Sequence, residues 1–338
     1  MEFDPFPLDS RSLDALGPYF TSRQIAVTGS SGLIGSYVVK LLRQAGAVVR
    51  AITHARPRNP YTSMAQEFVY VNLMDGQEGS LRHAFHGCSA VVSCAGITGG
   101  VNLPKRDPVS YVGPATVIAM NTLHAAYLAG VERIGWLSST TVYAPLVRPA
   151  VETDVQLPDA LYPLYRGIGE SKRFLEKLFA YYFDTVGMKV AIVRPAGAYG
   201  RFDNFDEVTS HVLPAMVTRA LRLGDGEDFE VWGDGNDVRD FVHAQDVARC
   251  LLFAMAKRPI PDPVNVASGV GISTASLARR VLDAAGRSTS KIVTSTDKPS
   301  ALRVRLVDTT KAESELGFHP QISLIEGVKD VVEWRRSQ

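Results

Sequence analysis

The stretch I-A-V-T-G-S-S-G-L-I-G, Ile25 to Gly35, decides the fold. Its first residues are apolar and read as a short strand ending at Thr28. The glycine loop, residues 28–35, opens directly into a helical pattern over 37–44. There Val38, Val39, Leu41 and Leu42 are apolar, and Gly46 stops the helix. Gly29, Gly32 and Gly35 have the spacing G-x-x-G-x-x-G. Glycine at these places lets the backbone turn tightly and approach a pyrophosphate, which then rests on the helix N-terminus. A glycine triplet alone is weak evidence. A strand before it and a helix after it make it a dinucleotide-binding signature.

Further strands are read at 48–53, 68–73, 90–94, 134–138 and 189–194, with helical stretches at 79–86, 115–129 and 169–185. Strands alternating with helices at this spacing predict parallel βαβ units. The expected fold class is α/β: a Rossmann-type doubly wound parallel sheet with a smaller C-terminal α/β substrate domain. The loop-like run 201–207 and the glycines of 224–235 mark the change of region. The expected division is 24–200 plus 240–258 for the dinucleotide domain and 201–239 plus 259–338 for the smaller one. Residues 1–23 form an N-terminal extension, whose short helix ends at Gly17-Pro18.

Composition excludes several classes of function. With 46% hydrophobic and 21% charged residues, the 338-residue chain can bury a sizeable core and is not a disordered one. Lys and Arg total 36 against 35 Asp and Glu, too even a balance for a general nucleic-acid binder. Cys88, Cys94 and Cys250 form no C-x-x-C pair and are expected to be reduced. No His/Cys/carboxylate cluster has metal-ligand spacing, so no metal is expected. The acidic, proline-containing N-terminus is unlike a secretory signal, and no apolar run reaches the ~18 residues of a membrane span. The expectation is a soluble, cytoplasmic protein.

The second strand ends in A-I-T-H-A-R-P-R, residues 51–58, where a fold preferring NAD usually has Asp or Glu for the ribose hydroxyls. His54, Arg56 and Arg58 stand there instead. This favours NADP(H), with NAD(H) as the alternative. Asn72 and Leu73 fall where this fold lines the adenine. Cys94 reads as a small buried thiol near the nicotinamide.

The fifth strand ends in L-S-S-T-T-V-Y-A (137–144), and Y-R-G-I-G-E-S-K-R-F-L-E-K follows at 165–177. With A-G-I-T-G-G (95–100), R-D-F-V-H-A-Q-D-V-A (239–248) and V-N-V-A-S-G (264–269), these strings resemble the extended short-chain dehydrogenases/reductases of the NAD-dependent epimerase/dehydratase family. The resemblance runs over residues 25–335. Y-G-R-F-D-N-F-D (199–206), S-H-V-L-P-A-M-V-T-R (210–219), V-W-G-D-G (231–235) and D-K-P (297–299) are most similar to the GDP-fucose synthase group, epimerase/reductases of a GDP-linked keto sugar. The resemblance implies cofactor contacts from Gly29, Ser31, Gly32, Leu33, Ile34, Gly35, His54, Arg56, Asn72, Leu73, Cys94, Ala95, Lys172 and Pro195. It implies substrate contacts from Ser139, Asn204, His211, Arg219, Trp232, Arg239 and Lys298, with the cations suited to a diphosphate. It also implies that Asn121 supports the lysine. A homodimer is implied through the helices at 115–129 and 169–185; Leu175, Leu178 and Phe179 serve either that interface or the core.

One departure stands out. The family places a tyrosine four residues before the active-site lysine. Here Ser139 and Lys172 stand in their expected places, but that position holds Ile168. On an ideal helix Tyr165 shares a face with 168, 169 and 172 and leans towards the site from one turn earlier. The epimerisation cysteine of the synthases is replaced by Thr141, while the partner His211 is kept. Three readings follow. One is an active epimerase/reductase whose proton relay uses Tyr165, His211 or a water held by Ser139. Another is an epimerase or eliminase without net redox chemistry. The third is a silent binding protein.

Overall fold

The computed structural model describes residues 5–54, 59–100, 107, 109–156, 159–206, 209–297 and 302–338. In chain order the strands are β1 (Gln24–Thr28), β2 (Val48–Thr53), β3 (Glu67–Tyr70), β4 (Ala90–Ser93), β5 (Arg133–Leu137), β6 (Lys189–Pro195), β7 (Gly197–Tyr199), β8 (Phe229–Trp232), β9 (Val238–His243), β10 (Val264–Val266), β11 (Gly271–Ser273), β12 (Ile292–Ser295) and β13 (Val304–Arg305). The α-helices are α1 (Ser10–Phe20), α2 (Leu33–Gln44), α3 (Glu78–Phe85), α4 (Val112–Leu128), α5 (Arg166–Val186), α6 (Val212–Arg222), α7 (Ala244–Lys257), α8 (Thr274–Ala284), α9 (Thr310–Leu316) and α10 (Leu324–Arg336).

Ile25, Ala26 and Val27 are fully buried because β1 lies inside a seven-stranded sheet covered on both faces. The order is β10-β6-β5-β4-β1-β2-β3, and every pairing is parallel. The order reverses between β1 and β4, which opens a crevice at the carboxyl ends of those strands, the place where such sheets bind ligands. The smaller layer joins β7, β11 and β13 to β9, and pairs β8 with β12. Its core is built by Leu213, Val217, Phe229, Leu277 and Val331.

The expected domain boundaries shift. β10, placed by sequence in the smaller region, closes the large sheet against β6, whereas β9 belongs to the smaller sheet. α7 returns to pack on α2 and β6, and α9 packs on α7 and β10. V-N-V is three residues long, too short to show a period, and only its long-range pairing makes it a strand.

The N-terminal extension is part of the core. α1 runs through Gly17-Pro18 to Phe20 and packs on α7, with Leu16 and Phe20 fully buried. A proline inside a helix costs about 3 kcal/mol. Burying Leu16 and Phe20 at roughly 1.5–3 kcal/mol each offsets it. The lead-in is anchored too. The Lys40 ammonium donates to the Phe6 carbonyl at 2.8 Å and to Gln245 Oε1 at 2.6 Å. No helix among the described residues is long and apolar enough to cross a membrane. Phe20→Ala is expected to lower stability by about 3–5 kcal/mol, read by urea unfolding. A dispensable extension would leave the midpoint unchanged.

Candidate active site

The glycine loop is drawn against the end of β4. Gly29 has φ +61°, and a Cβ there would lie 2.6 Å from the Ala95 nitrogen. At Gly35 a Cβ would lie 2.1 Å from the Gly29 carbonyl oxygen. The Ala95 amide donates to Thr28 Oγ1 at 3.2 Å, which ties the two strand ends together. From the other side Thr62 Oγ1 donates to the Ser30 carbonyl at 2.6 Å, and Asn59 Nδ2 to that of Ser31 at 3.3 Å. The Ser31 hydroxyl is buried and has no partner. A partnerless hydroxyl on a helix N-terminus beside a side-chain-free cradle fits a pyrophosphate. His54 is exposed at the end of β2, and Arg56 and Arg58 lie outside the described residues. Asn72 is exposed and donates to Asp75 at 2.7 Å; Leu73 is buried. Burial pushes the Cys94 thiol up to about 12, so it stays a neutral small hydrophobe. Pro195 ends β6.

Beyond β5 the four hydroxyl residues 138–141 point to different partners. Ser138 Oγ donates to Glu176 Oε1 at 2.5 Å. Ser139 Oγ accepts the Thr141 amide at 3.1 Å and shapes the 3₁₀ turn Thr140–Val142. Thr140 Oγ1 accepts from Arg305 Nη2 at 2.7 Å and Nε at 3.1 Å. The Thr141 hydroxyl is buried without a partner. α5 approaches this turn closely because residue 169 is glycine: a Cβ there would lie 2.5 Å from the Thr141 carbonyl oxygen. That approach carries Lys172 to the strand end. Its ammonium donates to the Leu137 carbonyl at 2.8 Å and lies 4.4 Å from the Trp136 ring centroid. Burial lowers its pKa to about 8, and the nearby Glu176 opposes the shift.

The smaller layer brings cations to the same turn. The parallel register of β13 on β9 sets Arg305 beside Arg239. The Arg305 guanidinium lies 5.0 Å from the Tyr165 ring centroid. Burial lowers its pKa, and the neighbouring Arg239 acts in the same direction. A narrow cleft opens here, lined by Thr140, Thr141, Tyr162, Tyr165, Arg305 and Leu306 among others. Sequence reading missed Arg305. Its signal was the alternation of two arginines with apolar residues in L-R-V-R-L-V, residues 302–307. Arg219 stands apart, donating to the Glu230 carbonyl at 2.8 Å over the Phe229 ring. Trp232 is half-buried opposite Ser295, and Lys298 lies outside the described residues. Asn204 is bonded within its own loop, to Thr209 Oγ1 at 2.8 Å and the Asp206 amide at 3.0 Å.

The NAD dependent epimerase/dehydratase family matches residues 25–267. The chain belongs to this family. It is 28% identical over 316 residues to a putative GDP-L-fucose synthase of Arabidopsis thaliana, covering 93% of this chain and 92% of that one. It is 27% identical over 323 residues to a dTDP-4-dehydro-6-deoxy-D-allose reductase of Streptomyces bikiniensis, covering 94% and 97%. The UDP-glucose 4-epimerase of Thermotoga maritima, solved with UDP-glucose, superposes with a TM-score of 0.79 at 26% identity over 93% of this chain and 99% of that one.

Two expectations about this family member are corrected, and one open choice is decided. Tyr165 does not share the α5 face with Lys172. It closes the 3₁₀ turn Pro163–Tyr165, and the α-helix begins at Arg166, because proline at 163 fits a first turn and not a helix interior. Its side chain goes to Arg305. Asn121 does not bond the lysine; it donates to the Leu73 carbonyl at 2.7 Å. Leu175 and Phe179 face the core, Phe179 stacking on Trp136 at 4.7 Å, and Leu178 packs against that core. The exposed apolar side chains of this helix pair are Val117, Met120, Tyr127, Phe174 and Tyr181.

Behind the turn lies a buried polar network that sequence reading did not find. Glu176 accepts from Arg194 Nε at 2.8 Å and Nη2 at 2.7 Å, besides Ser138. Arg194 Nη1 donates to the Tyr143 hydroxyl at 2.8 Å, which donates to Asn265 Oδ1 at 2.7 Å. Burial pushes the Tyr143 phenol up to about 12, so it stays a neutral donor. Removing one member of a buried ion pair leaves an uncompensated charge and costs about 3–5 kcal/mol. Glu176→Ala is expected to destabilise by that amount, and the Glu176→Ala, Arg194→Met double variant by less than the sum of the singles. Additive losses in chemical unfolding speak against the coupling.

Proposed function

We propose that the protein is an NAD(P)-dependent epimerase/reductase of a nucleotide-linked 4-keto sugar, with a GDP-sugar as substrate and NADP(H) as cofactor. The observation that carries this reading is the Arg239–Arg305 pair. Two guanidinium groups converge beside the Thr140–Thr141 turn, with Asp237 the one carboxylate near Arg239, at 3.7 Å. Such a pair suits a diphosphate, which takes paired, forked donors. The names of the relatives, a GDP-L-fucose synthase and a dTDP-keto-sugar reductase, support the substrate class. Missing acid at 53, 54 and 59, and the arginines at 56 and 58, support NADP(H).

In this reading Gly29, Gly32 and Gly35 would hold a nicotinamide dinucleotide, which when bound would supply hydride for the sugar's keto carbon. Lys172 holds the nicotinamide ribose. Ser139 and the partnerless Thr141 hydroxyl hydrogen-bond the sugar. His211 exchanges the proton that the family's tyrosine exchanges elsewhere. Ile168 can move no proton, and a positioned general acid is worth ~10²–10⁴-fold. That same residue favours a second reading, in which the enzyme epimerises a keto sugar without net hydride transfer.

The deciding assay incubates the protein with NADPH and GDP-4-keto-6-deoxymannose, and separately with dTDP-linked 4-keto sugars. NADPH oxidation at 340 nm with a two-dalton gain in the sugar supports the reductase. Deuterium uptake into the sugar without NADPH loss supports the second reading. Neither change with either sugar overturns both. Ile168→Tyr is expected to raise reductase turnover about 10-fold or more; a variant no faster than the parent removes the tyrosine from the explanation. The exposed apolar side chains of α4 and α5 support a homodimer through that helix pair. Light scattering is expected to give twice the chain mass, and Met120→Glu with Phe174→Glu to halve it. A monomeric parent refutes the dimer.

A further inference from the structure

The loop between β7 and α6 carries two neighbouring side chains, each with a buried polar atom that lacks a partner among the described residues. Asp203 is almost fully enclosed, its side chain 5% exposed. Its Oδ1 accepts the Asn204 amide at 2.8 Å, and its Oδ2 is buried with no partner among the described residues. A carboxylate oxygen enclosed in this way is costly unless a donor reaches it. Facing it is His211, whose Nδ1 is also buried and partnerless, 3.8 Å from Asp203 Oδ1. The His211 side chain is 40% exposed. With Nδ1 turned inward, that exposure belongs to the opposite edge of the ring, which carries Nε2.

The loop is docked where the chemistry lies. The Gly100 amide donates to the Thr209 carbonyl at 2.9 Å, and a Cβ at Gly100 would lie 2.1 Å from the Ser210 carbonyl oxygen. Gly100 lies on the chain leaving β4, whose end borders the dinucleotide crevice. The backbone of His211 therefore lies against the chain leaving β4, and one ring nitrogen is turned towards a carboxylate.

We infer that Asp203 is the positioning residue of His211, accepting its Nδ1–H and so presenting Nε2 to the sugar. The inference rests on the proposed role of His211 in proton transfer and adds the residue that orients it. The gap from 3.8 Å to hydrogen-bond length is about 1 Å. Hydrogen bonds of this kind are often long before substrate binds. In reduction, hydride adds to the keto carbon, the carbonyl π pair moves onto its oxygen, and the imidazolium form of His211, its Nδ1–H held by Asp203, passes the Nε2 proton to that oxygen. This leaves a neutral imidazole, which solvent reprotonates. Ile168 gives the arrangement its weight: no tyrosine in the usual place competes for the proton.

The test uses full-length Asp203→Asn, Asp203→Glu, His211→Gln and the Asp203→Asn, His211→Gln double variant, with GDP-4-keto-6-deoxymannose and NADPH. Asparagine keeps the acceptor for the Asn204 amide, and thermal melting checks that each variant is folded. Asp203→Asn is expected to lower kcat about 10- to 100-fold, part of what a placed proton carrier is worth, with KM for the sugar nucleotide changed less than about twofold. Asp203→Glu is expected to recover part of the loss. The double variant is expected to be no slower than His211→Gln. Independently of turnover, long-range ¹H–¹⁵N spectra of the cofactor-free protein are expected to show the Nδ1–H tautomer of His211, replaced by the Nε2–H form in Asp203→Asn. If His211→Gln is impaired while Asp203→Asn matches the parent in rate and tautomer, the inference is overturned and the role of His211 stands. If His211→Gln turns over normally, that role falls and the inference with it. Multiplied losses in the double variant also overturn it, since the two residues then act separately.

Discussion

The buried pair Glu176–Arg194 is the constraint on which the site depends. Glu176 is on the helix that carries Lys172, and Arg194 is on the strand next to β5. Their ion pair holds Ser138 on one side and Tyr143 on the other, so both ends of the strand-end turn are fixed from behind. Asn265, on the last strand of the sheet, continues the network to the carbonyls of Ala150 and Asp308. One charge pair thus connects the lysine helix, the hydroxyl turn and the segment leading away from Arg305. A buried charge is costly when left alone and directional when paired. That is a reason for placing it behind a site that must keep its geometry.

Much of this was legible in the sequence. The glycine loop could be read because its three glycines sit between an apolar strand and a 3.6-residue pattern, and each signal is local. Ser139 and Lys172 could be named because their strings, just past β5 and on α5, resemble the family's. Arg305 could not, because β13 is two residues long and its meaning comes from lying beside Arg239, far away in sequence. β10 was misplaced for the same reason. α1 was cut short because Gly17-Pro18 is a strong local stop signal, overridden by tertiary burial of Phe20. Tyr165 was set on a helix that had not yet begun.

The replacement of tyrosine by Ile168 leaves the surrounding frame undisturbed. Lys172 keeps its place at the strand end, and Gly169 still permits the close approach of α5 to the Thr141 carbonyl. The substitution therefore removes a functional group while keeping the support that normally positions it. In the proposed reaction, proton handling comes from another wall of the crevice. The loop bearing Asp203 and His211 is hydrogen-bonded across to the chain leaving β4, so that wall is as well anchored as the one it would replace.

The register that sets Arg305 beside Arg239 has a thermodynamic consequence. Two like charges from strands 66 positions apart in sequence repel one another, and burial sharpens that repulsion. An anion arriving between them relieves it and simultaneously contacts the turn that follows the large sheet. The ligand then acts as a counter-ion shared by both layers. Its binding energy appears as cohesion of the whole chain, and the protein with and without it should differ most in how readily β13 and its flanking segments open to solvent.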